Sequence, residues 1–264
     1  MFLTKEENNL SKEFFEKGYI IRPAQNINAL SEIRNNLIKK ITNYLKIKKN
    51  VDPNNFLNNI HKEIPVNKLN DLRVHLINEV NSISKFKNLY FQSAKKFIEI
   101  LVGNELAMQK KISLSIQIPK DDSSLLPVHS DTWSGLSPFE VVVWIPLVDC
   151  YKTKAMFILP PKHSSELNNQ FKKFSRKSSE DIFRKISKKI KWIDIKFGEV
   201  LIFNQHLPHG NRVNKEKETR WSMNCRFKSI FSPYADKKIG EFYEPITLRI
   251  ASKMGMNYRF PKIK

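Results

Sequence analysis

Two kinds of hydrophobic periodicity divide the chain. Residues 1–50 and 70–102 carry apolar side chains at three- and four-residue spacing, which is typical of amphipathic helices. The segment Gly18–Pro23 (GYIIRP) interrupts the first helical region and predicts an early strand, and residues 51–65 predict a loop with a short helix. From Lys111 onward the period changes to two, so the second half is predicted to be mainly β.

The second half contains five predicted strands. They are KKISLSIQIP, FEVVVWIPLVD, AMFILPP, GEVLIFN and RWSMNCRFKSIF. A Lys-rich helical stretch at 164–191 lies between the third and the fourth, and no regular βαβ alternation is visible. The pattern favours a double-stranded β-helix (a cupin-like jelly roll) with helices packed outside it.

We expect a single domain, because no Gly-, Ser- or Pro-rich linker interrupts the sequence. Its parts would be a mainly helical region at 1–108, a jelly-roll core at 109–232 and a C-terminal extension at 233–264. The Lys-rich helical segment at 164–191 would be an insertion in the core.

Two of the predicted strands have a polar face. In the first strand the polar face holds Ser113, Ser115 and Gln117. In the last strand, four polar side chains alternate with apolar ones: Arg220, Ser222, Asn224 and Arg226. Residues at i and i+2 of a strand share a face, so each polar face is predicted to line a ligand cavity rather than a dry core.

The large positive charge of the chain does not by itself identify a class of binding partner. Lys and Arg exceed Asp and Glu by 46 to 26, a formal charge of +20. Such an excess favours phosphate, acidic sugars, nucleic acid or an anionic membrane surface. Lys and Asn are abundant throughout, however, and this compositional bias explains the charge equally well.

Compartment and membrane association are predicted from composition. The first 18 residues are too polar for a secretory signal, and no apolar run approaches the roughly 20 residues that span a bilayer. Only two cysteines are present, so a disulfide framework is not expected. We therefore expect a cytoplasmic protein without membrane insertion.

Three residues predict a metal site. His129 and Asp131 lie two positions apart in an extended segment and can point at one ion. His209 follows the apolar strand VLIF, and His206 is the alternative third ligand. Two histidines and one carboxylate form the facial triad of non-heme Fe(II) oxygenases, which leaves coordination positions open.

An arginine near this triad predicts a dicarboxylate ligand. Arg220 lies eleven residues beyond His209, and its guanidinium offers a bidentate, charge-assisted pair to a carboxylate. The far carboxylate of 2-oxoglutarate needs such a cation. Arg226, on the same strand face, is the alternative anchor and otherwise a salt-bridge partner or a substrate contact.

With these residues in place, the chain resembles the 2-oxoglutarate/Fe(II) dioxygenase superfamily, and specifically its phytanoyl-CoA dioxygenase-like branch. The resemblance covers roughly residues 10–232. Besides the His-x-Asp … His … Arg spacing, four segments carry it: FFEKGYIIRP, VVVWIPLVDC, ILPPKHS and GEVLIFNQHLPHGNRVN. The stretches HSDTWSG, WIPL and NCRFKSIFSPY are most similar to bacterial oxygenases of carbohydrate and aminoglycoside gene clusters.

The resemblance implies an activity and its cofactors. Fe(II), 2-oxoglutarate and O2 would be used to oxidise a C–H bond, with succinate and CO2 as co-products. A carboxylate at Asp131 favours hydroxylation, or a related oxidation such as desaturation, over halogenation. The implied substrate is a small polar metabolite such as a sugar, a sugar nucleotide or another carbohydrate-pathway intermediate, and the basic surface fits a phosphorylated or nucleotide-linked one.

The resemblance also implies roles for further residues. Asn211 and Trp144 would line the cosubstrate pocket beside Arg220, and Gln117 and Trp133 would contact the substrate. The chain departs from the family in the loop YKTKAM, in Pro161-Lys162 before His163 and in the long Lys-rich segment. These departures put the substrate-side loops in doubt and leave the metal centre unaffected.

Two other functions fit parts of the sequence. A nucleic-acid-directed oxygenase would use the positive charge and the Arg-x5-Arg pair, and it would bind DNA or RNA in a salt-dependent way. A non-catalytic jelly-roll binding protein would keep the fold and form no succinate. The complete triad with its arginine favours the small-molecule oxygenase over both.

Overall fold

One long strand organises the β structure. The computed structural model describes residues 2–48, 50–174 and 176–262. In this part of the chain the strands are β1 (Tyr19–Pro23), β2 (Leu106–Gln109), β3 (Ser113–Gln117), β4 (Glu140–Pro146), β5 (Phe157–Ile158), β6 (Lys191–Trp192), β7 (Glu199–Asn204), β8 (His209–Gly210), β9 (Arg220–Ser229) and β10 (Tyr243–Pro245). The paired strands are all antiparallel within two sheets of seven and three strands.

Strand β9 joins most of the larger sheet. One edge of β9 pairs with β4, and the other pairs with β3 near its start and with β2 near its end. The full order is β1-β7-β4-β9-β2-β10, with β3 attached to β9. Strands β1 and β10 belong to this sheet, although both lie outside the range 109–232 predicted for the jelly-roll core. The division of the chain into parts stays a prediction.

The smaller sheet has the order β6-β5-β8. Its strands are only two residues long, so the third predicted strand, AMFILPP, contributes just Phe157–Ile158. The predictions missed β2, β6, β8 and β10, because segments of two to four residues carry too few positions to show an alternation. An antiparallel core of two sheets with outer helices confirms the predicted jelly-roll class.

Helices pack against the larger sheet and next to the smaller one. Those of the described residues are α1 (Lys5–Lys17), α2 (Ile27–Tyr44), α3 (Pro53–Asn58), α4 (Val66–Ser82), α5 (Phe86–Gln92), α6 (Lys95–Val102), α7 (Pro161–Asn168), α8 (Ser179–Ile186) and α9 (Ile250–Asn257). Helix α2 begins at the N-cap Asn26, whose side chain accepts a hydrogen bond from the Ala29 amide. Its buried stripe matches the predicted periodicity and packs into the main core.

The predicted helical region 70–102 forms three helices rather than one. Helix α4 ends where Ile83 takes an extended conformation, and Ala94 at φ −140° interrupts the backbone again before α6. The breaks let α5 turn toward the sheet, where the buried Tyr90 hydroxyl donates to the Val143 carbonyl at 2.8 Å. Hydrophobic periodicity alone does not locate such a change of direction.

The Lys-rich segment is helical in two pieces, α7 and α8. A capping box at Ser178 and Asp181 starts α8. Ile182 and Ile186 pack with Phe157 in a second apolar cluster next to the smaller sheet. Among the described residues, no helix has both the length and the apolar character needed to cross a membrane.

Candidate metal centre and cosubstrate cavity

Backbone hydrogen bonds join the two halves of the predicted triad. The His129 amide donates to the His209 carbonyl at 3.0 Å, and the His209 amide donates to the His129 carbonyl at 2.8 Å. The Asp131 amide donates to the Gln205 carbonyl at 3.1 Å. Residues about eighty positions apart are thereby fixed in register, and His129 and Asp131 project toward His209.

Gly210 permits this close pairing. A Cβ at position 210 would lie 2.7 Å from the Leu126 carbonyl oxygen, and Gly210 is followed by Asn211, whose amide donates to that same oxygen. The Asn211 side chain accepts a hydrogen bond from the Leu126 amide at 2.8 Å. The glycine after His209 therefore serves a close approach of two backbone segments.

The three side chains converge. His129, Asp131 and His209 each offer a ligand atom, and these atoms all lie within 4.8 Å of one another. The His129 Nε2 is 3.8 Å from one Asp131 carboxylate oxygen. The Nδ1 atoms of His129 and His209 lie 2.8 Å from the carbonyl oxygens of Pro127 and Leu207.

These carbonyl contacts set the histidine tautomers. A carbonyl oxygen only accepts hydrogen bonds, so each Nδ1 carries the proton and each Nε2 keeps a free lone pair. Burial lowers the pKa of His209 to about 4, and the nearby His129 adds to the effect. Neutral imidazoles oriented through Nδ1 are the form in which histidine binds a metal. The donor set, two imidazole nitrogens and a carboxylate, fits Fe(II).

A polar network of Arg226, Gln205 and Glu140 holds the Asp131 carboxylate in place. Arg226 donates to one Asp131 oxygen, Oδ2, from Nη2 at 2.7 Å and from Nε at 3.2 Å. Its Nε also contacts Gln205 Oε1 at 3.2 Å, and Gln205 donates to Glu140 at 2.7 Å. Burial raises the pKa of Glu140, and the hydrogen bond from Tyr243 partly opposes this shift. Because both hydrogen bonds from Arg226 go to Oδ2, the other oxygen of Asp131 remains available for a metal.

Arg220 lies buried on the same strand face with part of its guanidinium unpaired. One Nη donates to the Ser115 hydroxyl at 2.9 Å, while Nε has no hydrogen-bond partner among the described residues. Burial lowers the Arg220 pKa to about 10, still far above neutrality. The Ser222 hydroxyl, two residues along the same strand face, is also buried without a partner in that part of the chain. An unpaired buried cation beside an unpaired hydroxyl fits a carboxylate ligand.

A cavity connects the triad with Arg220. Its volume is about 520 Å³, and its lining includes the triad, Trp144, Asn211, Asn224 and both candidate arginines. Of the four polar residues predicted on one face of β9, Arg220, Asn224 and Arg226 line the cavity, whereas Ser222 is fully buried outside the lining. Trp221 and Phe227 of the opposite face are fully buried in the core. Ser113 and Ser115 of β3 line the same cavity.

Two predicted substrate contacts lie elsewhere. Gln117, the last residue of β3, is fully buried but does not line the cavity. Its side chain donates a hydrogen bond to the Arg212 carbonyl. Trp133 also lies outside that lining, and its ring packs on Phe171 with 4.6 Å between centroids. Strand alternation located the face of Gln117 correctly but not the end of the cavity.

The alternative residues for the third metal ligand and for the anion-binding arginine differ in their contacts. His209 converges with His129 and Asp131, whereas His206 is not in that cluster and contacts Ser130 through its backbone carbonyl. Arg226 is engaged by Asp131, which leaves Arg220 as the arginine with unpaired donors.

Sequence reasoning missed three residues of this region. Glu140 had a signal, because an acidic residue in a strongly apolar strand is expected to have a buried partner. Hydrophobic periodicity gives no signal that would identify Gln205 or Arg73. Arg73, on α4, lines the cavity.

Among the comparisons with known proteins, the one with solved structures supports the fold. No protein-family model matches the chain, and no curated protein matches its sequence. Among solved structures, the non-heme monooxygenase ThoJ in a nickel complex is 13% identical with a TM-score of 0.57, covering 92% of this chain and 85% of ThoJ. EctD from S. alaskensis, with 2-oxoglutarate and 5-hydroxyectoine, is 15% identical with a TM-score of 0.55, covering 88% and 78%.

HygX from Streptomyces hygroscopicus, with nickel and 2-oxoglutarate bound, is 11% identical with a TM-score of 0.52 and covers 90% of each chain. The chain thus has the fold of non-heme, 2-oxoglutarate-binding oxygenases, as its sequence resemblance predicted. The narrower phytanoyl-CoA dioxygenase-like branch stays a prediction.

Proposed function

We propose that the protein is an Fe(II)- and 2-oxoglutarate-dependent oxygenase that hydroxylates a small polar metabolite. One observation carries the proposal: a His-Asp-His triad with free Nε2 atoms, in which Asp131 and His209 are buried, shares a cavity with a buried arginine that has no acidic partner among the described residues. The fold shared with ThoJ, EctD and HygX supports it.

Each side chain has a defined task in this proposal. His129, Asp131 and His209 hold Fe(II), and Arg226 keeps the Asp131 carboxylate in one orientation. Arg220, with Ser115 and Ser222 beside it, binds the far carboxylate of 2-oxoglutarate. Trp144 and Asn211 line the same cavity. The iron supplies O2 activation coupled to decarboxylation of the cosubstrate.

The cavity lining supports the proposed substrate class. Its polar lining includes four serines, two asparagines and three arginines, and this fits a hydroxylated metabolite such as a sugar or sugar nucleotide. The carboxylate of Asp131 occupies the position at which a halide would have to bind, so hydroxylation or desaturation is favoured over halogenation. Cys150 and Cys225 are unpaired and buried, consistent with a cytoplasmic enzyme.

Uncoupled 2-oxoglutarate turnover tests the proposal. Purified protein is incubated with Fe(II), ascorbate and 2-oxoglutarate, with and without a panel of sugars and sugar nucleotides, and succinate is measured. We expect succinate from the wild type and none above background from His129→Ala or His209→Ala. His206→Ala is the matched control and should keep its turnover, because His206 lies outside the triad.

Two results would contradict the proposal. One is the absence of both Fe(II) and 2-oxoglutarate binding to the wild-type protein. The other is succinate formation that His129→Ala leaves unchanged.

A further inference from the structure

The cavity holds more positive charge than its expected occupants neutralise. Among the described lining residues, the acidic or strongly basic side chains are Arg73, Asp131, Arg220 and Arg226. Arg226 pairs with Asp131, and doubly charged 2-oxoglutarate would neutralise Fe(II). Arg73 and Arg220 therefore leave the loaded cavity positive, which favours an anionic substrate.

Helix α4 places Arg73 at this cavity. The helix buries Leu69, Leu72, Leu76 and Val80, and Arg73 and Ile77 form the adjacent i, i+4 line that borders the cavity. Asn81 fixes the helix to the sheet, because its side chain donates to the Ile112 carbonyl at 3.0 Å and accepts from the Ile112 amide at 2.8 Å.

Arg73 itself has free donor capacity. Its side chain is half-buried, and one Nη donates to the Asn70 side chain at 2.5 Å. No carboxylate of the described residues forms an ion pair with it. A partly desolvated guanidinium with unused donors is suited to a bidentate pair with a phosphate or a carboxylate.

Neutral hydrogen-bonding groups lie in the same cavity. Ser113 of β3 and Asn224 of β9 face each other in register, and both line it. Neither side chain makes a hydrogen bond within the described part of the chain, so both are open to hydroxyl groups of a ligand.

We propose that the substrate is a small hydroxylated metabolite that carries an acidic group, and that Arg73 binds this group while Ser113 and Asn224 bind hydroxyls. The inference rests on the proposed function and specifies its substrate class. It assigns Arg73 to recognition and gives it no part in holding the iron or 2-oxoglutarate.

Calorimetric binding to protein loaded with Zn(II) and 2-oxoglutarate tests it, since Zn(II) replaces iron without turnover. The probes are glucose 6-phosphate, glucuronate and glucose. We expect at least one acidic probe to bind about tenfold or more tightly than glucose, and Arg73→Gln to remove that advantage. Arg73→Lys should restore part of it, and Lys68→Gln, an exposed cation on the same helix, should leave it intact.

The outcomes separate the two proposals. If the Zn(II)-loaded protein does not bind 2-oxoglutarate, the proposed function fails. If 2-oxoglutarate binds equally to the wild type and to Arg73→Gln, but no acidic probe binds or the variant binds it as well as the wild type, the inference about Arg73 is overturned. Preference for glucose 6-phosphate or for glucuronate identifies the acidic group as phosphate or carboxylate.

Discussion

Replacing Arg226 with methionine tests how much the ion pair of Arg226 with Asp131 contributes to stability. Asp131 is 6% exposed and Arg226 is 17% exposed at the side chain, and two donors of Arg226 reach the same carboxylate oxygen. Methionine keeps much of the apolar stem but leaves the Asp131 carboxylate without its countercharge. Breaking such a buried pair costs roughly 3–5 kcal/mol.

The expected loss depends on the metal. Without metal, about 3 kcal/mol corresponds to a fall in Tm of about 6 °C for a chain of this size. A divalent cation at the triad supplies the missing positive charge, and a ligand that binds only the native state adds stability. Saturating Zn(II) should therefore raise the Tm of Arg226→Met by several degrees more than it raises that of the wild type.

Thermal unfolding of the two proteins, with and without Zn(II), measures this difference. Arg212→Met is the matched control, because the Arg212–Glu180 pair lies near the surface and is expected to contribute at most about 1 kcal/mol. An Arg226→Met loss that is identical with and without Zn(II) would show that the cost comes from packing and would refute the electrostatic argument.

Three further predictions concern the close approach, the anion anchor and pH. Gly210→Ala should lose about 1–3 kcal/mol of unfolding free energy, since its Cβ would lie 2.7 Å from the Leu126 carbonyl oxygen. Gly255→Ala, in helix α9, meets no atom within 4 Å and should lose no stability in urea unfolding. Arg220→Gln should weaken 2-oxoglutarate binding about tenfold or more in calorimetry, and unchanged affinity would place the cosubstrate elsewhere. The lowered pKa of His209, about 4, means that the unfolded chain binds its proton first, so metal-free stability should fall as pH drops from about 6.5 to about 4. Urea unfolding across that range checks this, and a pH dependence that His209→Gln retains in full would contradict it.

Local patterns were sufficient for the faces of the strands and for the composition of the metal centre. The two-residue period of β9 placed Arg220, Asn224 and Arg226 on one face because successive strand side chains point to opposite sides. The same rule aligned His129 with Asp131. The residue types alone then indicated the ligand class, since imidazole and carboxylate have known metal preferences.

Tertiary contacts distinguish residues that these patterns left equivalent. His206 and His209 are three residues apart and look alike in sequence, but only His209 is paired through its backbone with His129. Arg220 and Arg226 share a face, and the ion pair of Arg226 with Asp131 leaves Arg220 as the one with an unpaired Nε among the described residues.

The same limit explains Gln117, Trp133 and Arg73. A period fixes the direction of a side chain relative to its own strand or helix, and it contains no information on which element packs opposite. Gln117 points to the expected face but reaches the Arg212 carbonyl, and Trp133 packs on Phe171. Nothing in the sequence singles out Arg73. It borders the cavity because hydrogen bonds of Asn81 to Ile112 hold α4 beside the start of β3.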